Sequence, residues 1–407
     1  MSVNNIESLC SQRVGYNKKI IKTDTSSLVP EGENYGGEMV KLNLVVQDEN
    51  SNQSEEIHVV VKKIPPSEIY QEIFNIQHTF RAEINFYEKL VPLFQNFQRE
   101  NNVQDVLDCF AKFYGSRLNL NGSEEVDLDA AIVFENLSIA GFRNIDRLTG
   151  FNFEETQLLL KYLAQLHAVP LAIKIRNPEL FKQEIRPHLN NGLHGSGGFE
   201  MALPIIEAIL NESQKCAPLV PKIQKLWHKF YYEEEDNEAK EPFATFSHGD
   251  PWVNNIMVKY ANGVATELKF VDFQVYEYAS PVADFLYFMF TSVQNNVLKE
   301  NIDDFLKFYH SSLLQNLKEL GCDLEPFGYD RFLKEFEEHT YISLIWVLTF
   351  IPFVVFGKKG DDSTVPSFQD IKFSDSLSVE DARKRLPQVV KDKIHFIVEY
   401  SARNNWI

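Results

Sequence analysis

The segment Phe246-Ser247-His248-Gly249-Asp250-Pro251-Trp252-Val253-Asn254-Asn255-Ile256-Met257-Val258 limits this chain more than any other. Asp250 and Asn255 stand five residues apart, and Asp272-Phe273-Gln274 follows an apolar stretch from Leu268 to Val271. Taken singly, an Asp, Asn or Gly in a turn is ordinary turn or capping chemistry. Taken together, one amide and two carboxylates at the mouth of a short hairpin offer more. They supply a carboxylate that can orient and deprotonate a hydroxyl, and a small set of hard oxygen ligands of the kind Mg²⁺ prefers. Those are the two demands of phosphoryl transfer.

The pattern His-x-Asp-x-x-x-x-Asn followed by Asp-Phe-x resembles the catalytic and metal-binding loops of eukaryotic-like kinases. By that resemblance Asp250 is the base, Asn255 a metal ligand and Asp272 the main metal ligand. A kinase also needs a lysine on the phosphates and a glutamate to hold it. Lys62 closes the β-branched run Val59-Val60-Val61, and Glu83 lies in Phe80-Arg81-Ala82-Glu83-Ile84-Asn85-Phe86-Tyr87. Strand alternation turns the neighbouring Lys63 to the opposite face. The stretch Gly32-Glu33-Asn34-Tyr35-Gly36-Gly37 lets backbone amides approach phosphates at Gly32 and Gly36, or is a plain hairpin turn. Residues 132–137 stand where a hinge between lobes belongs. The backbone from Glu135 to Leu137 would then bind adenine, though a plain strand end reads the same.

Along the chain, residues 1–24 read as polar and helical. Residues 28–47 read as a glycine-bearing turn leading into a strand, followed by a strand over 57–64, a helical pattern over 68–98, and strands over 106–119 and 128–135. That gives the N-terminal third the order strand, strand, helix, strand, strand. Helices then dominate: 153–168 (ending at His167-Ala168), 281–296, 302–320, 329–350 and 379–403. Residues 191–198 and 232–242 read as loops, and 358–378 as a polar insertion. Lys and Arg number 40 against 58 Asp and Glu, a formal charge of −18. So acidic a surface repels nucleic acid and anionic membranes. The four cysteines, Cys10, Cys109, Cys216 and Cys322, form no CxxC pair and read as reduced, buried thiols rather than zinc ligands. The N-terminus lacks a basic start and an apolar core, so no signal peptide is expected. No run reaches the roughly 20 apolar residues of a membrane span. Residues 341–356 come nearest but meet Pro352 and then Gly357-Lys358-Lys359. The expectation is a cytoplasmic enzyme with no membrane span and no obligate protein partner.

A wider set of residues resembles the ecdysteroid kinase-like family, related to choline and aminoglycoside kinases. It comprises Val61-Lys62-Lys63-Ile64-Pro65, Phe80 to Tyr87, Phe134-Glu135-Asn136-Leu137, Leu163-Ala164-Gln165-Leu166-His167-Ala168, the segment His248 to Asn255, and Val271-Asp272-Phe273-Gln274. The resemblance implies an α+β, two-lobed protein-kinase-like fold. Residues 1–136 would form a nucleotide-binding lobe of antiparallel sheet plus helix, and residues 137–407 a mostly helical lobe. It implies ATP, Mg²⁺ and a small hydroxylated acceptor, an ecdysteroid or another lipophilic alcohol. A choline- or aminoglycoside-type polar acceptor, or an inactive kinase-fold binding protein, stand as alternatives. The aromatics Tyr341, Trp346, Phe350 and Phe353 favour an apolar acceptor. No Ala-Pro-Glu element follows Asp272, which leaves little room for peptide docking. Instead Tyr278 to Asp284 runs straight into a helix, where Asp284 either braces the catalytic loop or is a helix N-terminal charge. Gln274 replaces a glycine and should stiffen the metal loop. His248 reads as a structural hydrogen-bonding group, His167 as packing, and Trp252 as either core or pocket lining.

Overall fold

Val40, Leu42, Leu44 and Val46 alternate along β2 (Glu38–Asp48) and are all buried, the period of a strand with one covered face. The computed structural model describes residues 3–7, 9–10, 18–27, 37–51, 53–189, 202–232, 239–356 and 378–407, and of residues 69, 70, 73 and 353–356 the backbone alone. In it β2 pairs antiparallel with β1 (Lys18–Ser27) and β3 (Ser54–Lys63). With β4 (Phe113–Arg117) and β5 (Ala131–Glu135) they form an antiparallel sheet in the order β1-β2-β3-β5-β4. The Val40 row joins Val59, Val61 and Val133 in a small core closed by Ile6 and Cys10. Ile132 and Phe134 enter the main core on the opposite face. Lys62 pairs with Ile132 in the β3–β5 register and shares that inner face.

β1 corrects the helical reading of residues 1–24, since Lys18 to Asp24 are strand. Three strands therefore precede the first long helical run. The run comprises α1 (Glu68–Ile73), α2 (Ile76–Asn85), a π-helical turn Phe86–Leu90 and α3 (Val91–Glu100). A π turn inserts one extra residue. Phe80, Phe86, Leu90 and Phe94 on this run are buried in the main core.

From residue 137 helices prevail. They are α4 (Phe153–Arg176), α5 (Ala202–Leu210), α6 (Val220–Tyr232), α7 (Pro281–Ser292), α8 (Asn295–Glu319), α9 (Tyr329–Phe356), α10 (Val379–Arg385) and α11 (Gln388–Arg403). Two small sheets interrupt them: β6 (Phe142–Asn144) with β8 (Ile256–Ala261) and β9 (Val264–Phe270), and β7 (Thr245–Ser247) with β10 (Glu277–Ala279). The fold is thus α+β and two-lobed in the protein-kinase manner, an antiparallel N-terminal sheet with its helix above a helical remainder. The loop at 191–198, residues 233–238 of the acidic stretch and residues 358–377 of the insertion lie outside the described residues. All four cysteines are free, and all but Cys322 are buried.

α4 runs past the expected end at Ala168, through Pro170, to Arg176. Among the described residues it, and not 341–356, is the helix long and apolar enough to cross a membrane; it is mostly buried, as a core helix is. Its start is a capping box. Asn152 Oδ1 accepts the Glu155 N–H at 2.9 Å, and Glu155 Oε2 accepts the Asn152 N–H at 2.8 Å. Asn152→Ala should therefore destabilise the protein by about 1 kcal/mol, and Asn152→Gly by only a few tenths, in urea unfolding.

Candidate active site

Lys62 brings its ammonium into the main core at 6% exposure. Such a charge is tolerated only with partners. Glu83 on α2 accepts from its Nζ at 2.5 Å, Asp272 Oδ1 at 2.6 Å, and Gln274 Oε1 at 3.4 Å. Burial works against the Lys62 charge, but Asp272 and Glu83 outweigh it, and its pKa is raised. Glu83 is 1% exposed, and burial raises its pKa against the opposing pull of Lys62 and the Phe273 N–H. Lys63 lies half-buried on the other face of β3.

Asp272 adopts a left-handed backbone, φ 68°, uncommon for a residue with a side chain. The bend aims its carboxylate at Lys62, while Gln274 Nε2 donates to the other oxygen at 3.3 Å. Phe273 turns inward and stacks on Phe86 at 3.8 Å and against the His248 ring at 4.4 Å.

The loop after β7 carries Asp250. Asn255 Nδ2 donates to the Asp250 carbonyl at 3.0 Å and to its Oδ2 at 2.8 Å. Burial pushes the Asp250 pKa well up, the Asp272 charge adds to this, and hydrogen bonds from Tyr287, Asn255 and Trp252 pull it back. Trp252 is half-buried, packs against the main core and also donates a hydrogen bond to Asp250. His248 is held neutral by burial. Its Nε2 donates to the Val271 carbonyl at 3.2 Å, and Nδ1 accepts the Asp250 N–H at 3.3 Å. It therefore ties the Asp250 loop to the strand end before Asp272.

Asp284 in the first turn of α7 holds this loop from below. Its Oδ1 accepts from Ser247 Oγ at 2.7 Å and the Gly249 N–H at 3.0 Å, and its Oδ2 from the His248 N–H at 2.6 Å. His167 Nε2 donates to Oδ2 at 3.0 Å, and its Nδ1 accepts from the Tyr309 hydroxyl at 2.6 Å. Of the two readings of Asp284, bracing is the one with partners, and His167 does more than pack. Gly249 has φ 81°, and a Cβ there would meet the Val275 carbonyl at 2.4 Å, so no other residue fits the turn.

The described residues contain no group of three or more His, Cys, Asp or Glu side chains able to cage a metal. A Mg²⁺ site built from one carboxylate and one amide needs no such cage. Asp272 keeps acceptor lone pairs beside its two hydrogen bonds, and Asn255 keeps its amide oxygen once Nδ2 is used. The donor set fits a hard divalent cation. At the end of β5, the Glu135 N–H donates to the Lys112 carbonyl at 2.8 Å and the Leu137 carbonyl accepts from Phe142 at 2.9 Å. The Leu137 N–H has no backbone partner among the described residues. Gly32 and Gly36 lie outside the described residues. Reading the sequence missed Tyr287 and Tyr276. Tyr287 stands three residues after Asp284 on one helix, a spacing that places both on one face.

A sequence model of the ecdysteroid kinase-like family matches residues 31–322. No curated protein matches the chain. Solved structures similar to it include an ethanolamine kinase from Plasmodium vivax, 11% identical over 89% of this chain and 80% of that one, with a TM-score of 0.39. A choline kinase from Cryptosporidium parvum is 11% identical over 95% and 91%, with a TM-score of 0.44. The GDP complex of an aminoglycoside 2'-phosphotransferase is 11% identical over 100% of both chains, with a TM-score of 0.41.

The Asp284 pKa sits below the ordinary 3.8 because His167, His248 and Ser247 outweigh the burial that would raise it. A carboxylate with a depressed folded pKa contributes stability that is complete above its unfolded pKa and is lost as pH falls through the folded one. Asp284→Asn should thus destabilise the chain by a few kcal/mol at neutral pH, since hydrogen bonds to a charged group contribute about 1.5–3 kcal/mol each. Urea unfolding below about pH 4 should show the gap to wild type narrowing.

Proposed function

The chain belongs to the ecdysteroid kinase-like family, and on that premise we propose that it transfers the γ-phosphate of ATP to a hydroxyl of a small molecule. The observation that carries the reading is the convergence of Lys62, Glu83 and Asp272 on one buried ammonium, joined through His248 to the Asp250–Asn255 loop. In this reading residues 1–136 bind the nucleotide and residues 137–407 carry the catalytic loop and acceptor-binding helices. The Glu135 carbonyl and Leu137 N–H receive adenine, and Lys62 grips the α- and β-phosphates. Glu83 holds Lys62 in place. Asp272 and the Asn255 amide oxygen would hold Mg²⁺, which offsets the negative charge of the phosphates when bound.

Asp250 accepts the proton of the attacking hydroxyl. Its raised proton affinity suits that task better than an ordinary carboxylate would. The donors Tyr287, Asn255 and Trp252 fix which oxygen faces the acceptor. The acceptor lies between Asp250 and α9, and the wall there is aromatic. The ring of Tyr287 meets Phe350 edge-on at 6.5 Å, and Phe350 meets Trp346 at 4.5 Å. That wall supports an apolar, ring-bearing alcohol such as an ecdysteroid. Tyr341 lies instead against the Lys229 ammonium at 4.3 Å, and the Phe353 side chain is outside the described residues. We assign the enzyme to the cytoplasm.

Asp250→Asn keeps the loop's shape and removes the base. It should lower transfer by about 10²–10⁴-fold. Purified protein with ATP, Mg²⁺ and a panel of ecdysteroids, choline and aminoglycosides, read by the mass gain of one phosphate, checks both base and acceptor. A variant that works at near wild-type rate sinks the mechanism, and phosphorylation of choline alone sinks the apolar acceptor.

A further inference from the structure

Glu83 is placed by more than Lys62. Two of the four residues after Asp272, Phe273 and Tyr276, fasten to the helix that bears it. Phe273 donates its N–H to the Glu83 carboxylate and stacks its ring on Phe86. Tyr276 is fully buried, and its hydroxyl donates to the Ala82 carbonyl at 3.1 Å, one residue before Glu83. Its ring stacks on Phe246, 5.3 Å away, beside the Asp250 loop, and lies 5.6 Å from Phe86. The Ala82 carbonyl already accepts the Phe86 N–H, where α2 passes into the π turn. It sits where helical hydrogen bonding changes register, and the Tyr276 O–H uses its second lone pair.

The geometry points to Tyr276 as a positioning residue for the Glu83 carboxylate: its hydroxyl latches the Asp272 loop to the helix. Tyr276 bonds the backbone one residue before Glu83, so it acts through Glu83. With the latch closed, α2 and the Asp272 loop move as one body, and the Lys62 partners are assembled before nucleotide arrives. This inference rests on the transfer reading above only for its kinetic arm.

Tyr276→Phe deletes the hydroxyl and keeps the rings. Ala82 retains its Phe86 donor, so no buried carbonyl is orphaned and the thermal midpoint should move by no more than about 3 °C. Amide exchange over residues 76–90 of the nucleotide-free chain should rise about fivefold, the loss of one net hydrogen bond. With an accepted substrate, kcat should fall about fivefold, and the same substitution made in Glu83→Gln should cost nothing further. Unchanged exchange over 76–90, or a full additional loss in the Glu83→Gln background, overturns the latch. A wild-type chain that phosphorylates nothing while the exchange difference stands overturns the transfer reading instead and leaves the latch in place.

Discussion

A lysine ammonium buried between two carboxylates is the interaction on which the rest of this structure turns. Removing a charge from water costs several kcal/mol even after relaxation, and only close, well-directed partners offset it. Lys62 comes from β3, Glu83 from α2 and Asp272 from the loop after β9, so satisfying one charge requires three separate pieces of chain to meet. The sheet must turn the Lys62 face inward, the helical run must cross it at Glu83, and the β8–β9 hairpin must deliver Asp272 in a left-handed bend.

A second buried charge does the same for the C-terminal region. Asp284 gathers two backbone N–H groups, a hydroxyl and an imidazole, and so holds the Asp250 loop to α7 and to α4. His248 and Phe273 join the two centres, the first by a hydrogen bond to Val271 and the second by packing against His248 and stacking on Phe86. Gly249 marks where this joint is tightest. The backbone passes so close to Val275 that a methyl group has no room.

Most of the site was legible because its chemistry fixes residue types at fixed separations. Asp250, Asn255 and Asp272 sit in one stretch, and Lys62 and Glu83 lie on elements with clean periodicity. What escaped reading is set by tertiary contact. Tyr276 and Tyr287 look like core aromatics among many, and only their hydroxyl partners tell them apart. The last third of α4, beyond Ala168, carries Pro170, a residue that costs about 3 kcal/mol inside an isolated helix. Here the helix is buried on nearly every side, and packing outweighs that local preference. The residues most exposed to this kind of error are those whose neighbours arrive from far along the chain.

β1 was misread because its sequence, Lys-Lys-Ile-Ile-Lys-Thr-Asp-Thr-Ser-Ser, has little apolar alternation, and only Ile20 of its two isoleucines is buried. The same poverty has a use. Among the described residues β1 is the outermost strand of the five-stranded sheet, the position where a strand leaves backbone donors and acceptors unpaired on one side. Lys18, Lys19 and Lys22 lie along this strand, Lys18 paired with Glu55 at 2.5 Å and Lys22 with Asp24 at 2.6 Å. The composition that hides the strand from a hydrophobicity pattern is also the charged, apolar-poor kind that blunts a sheet edge, so its illegibility and its suitability for an edge share one cause.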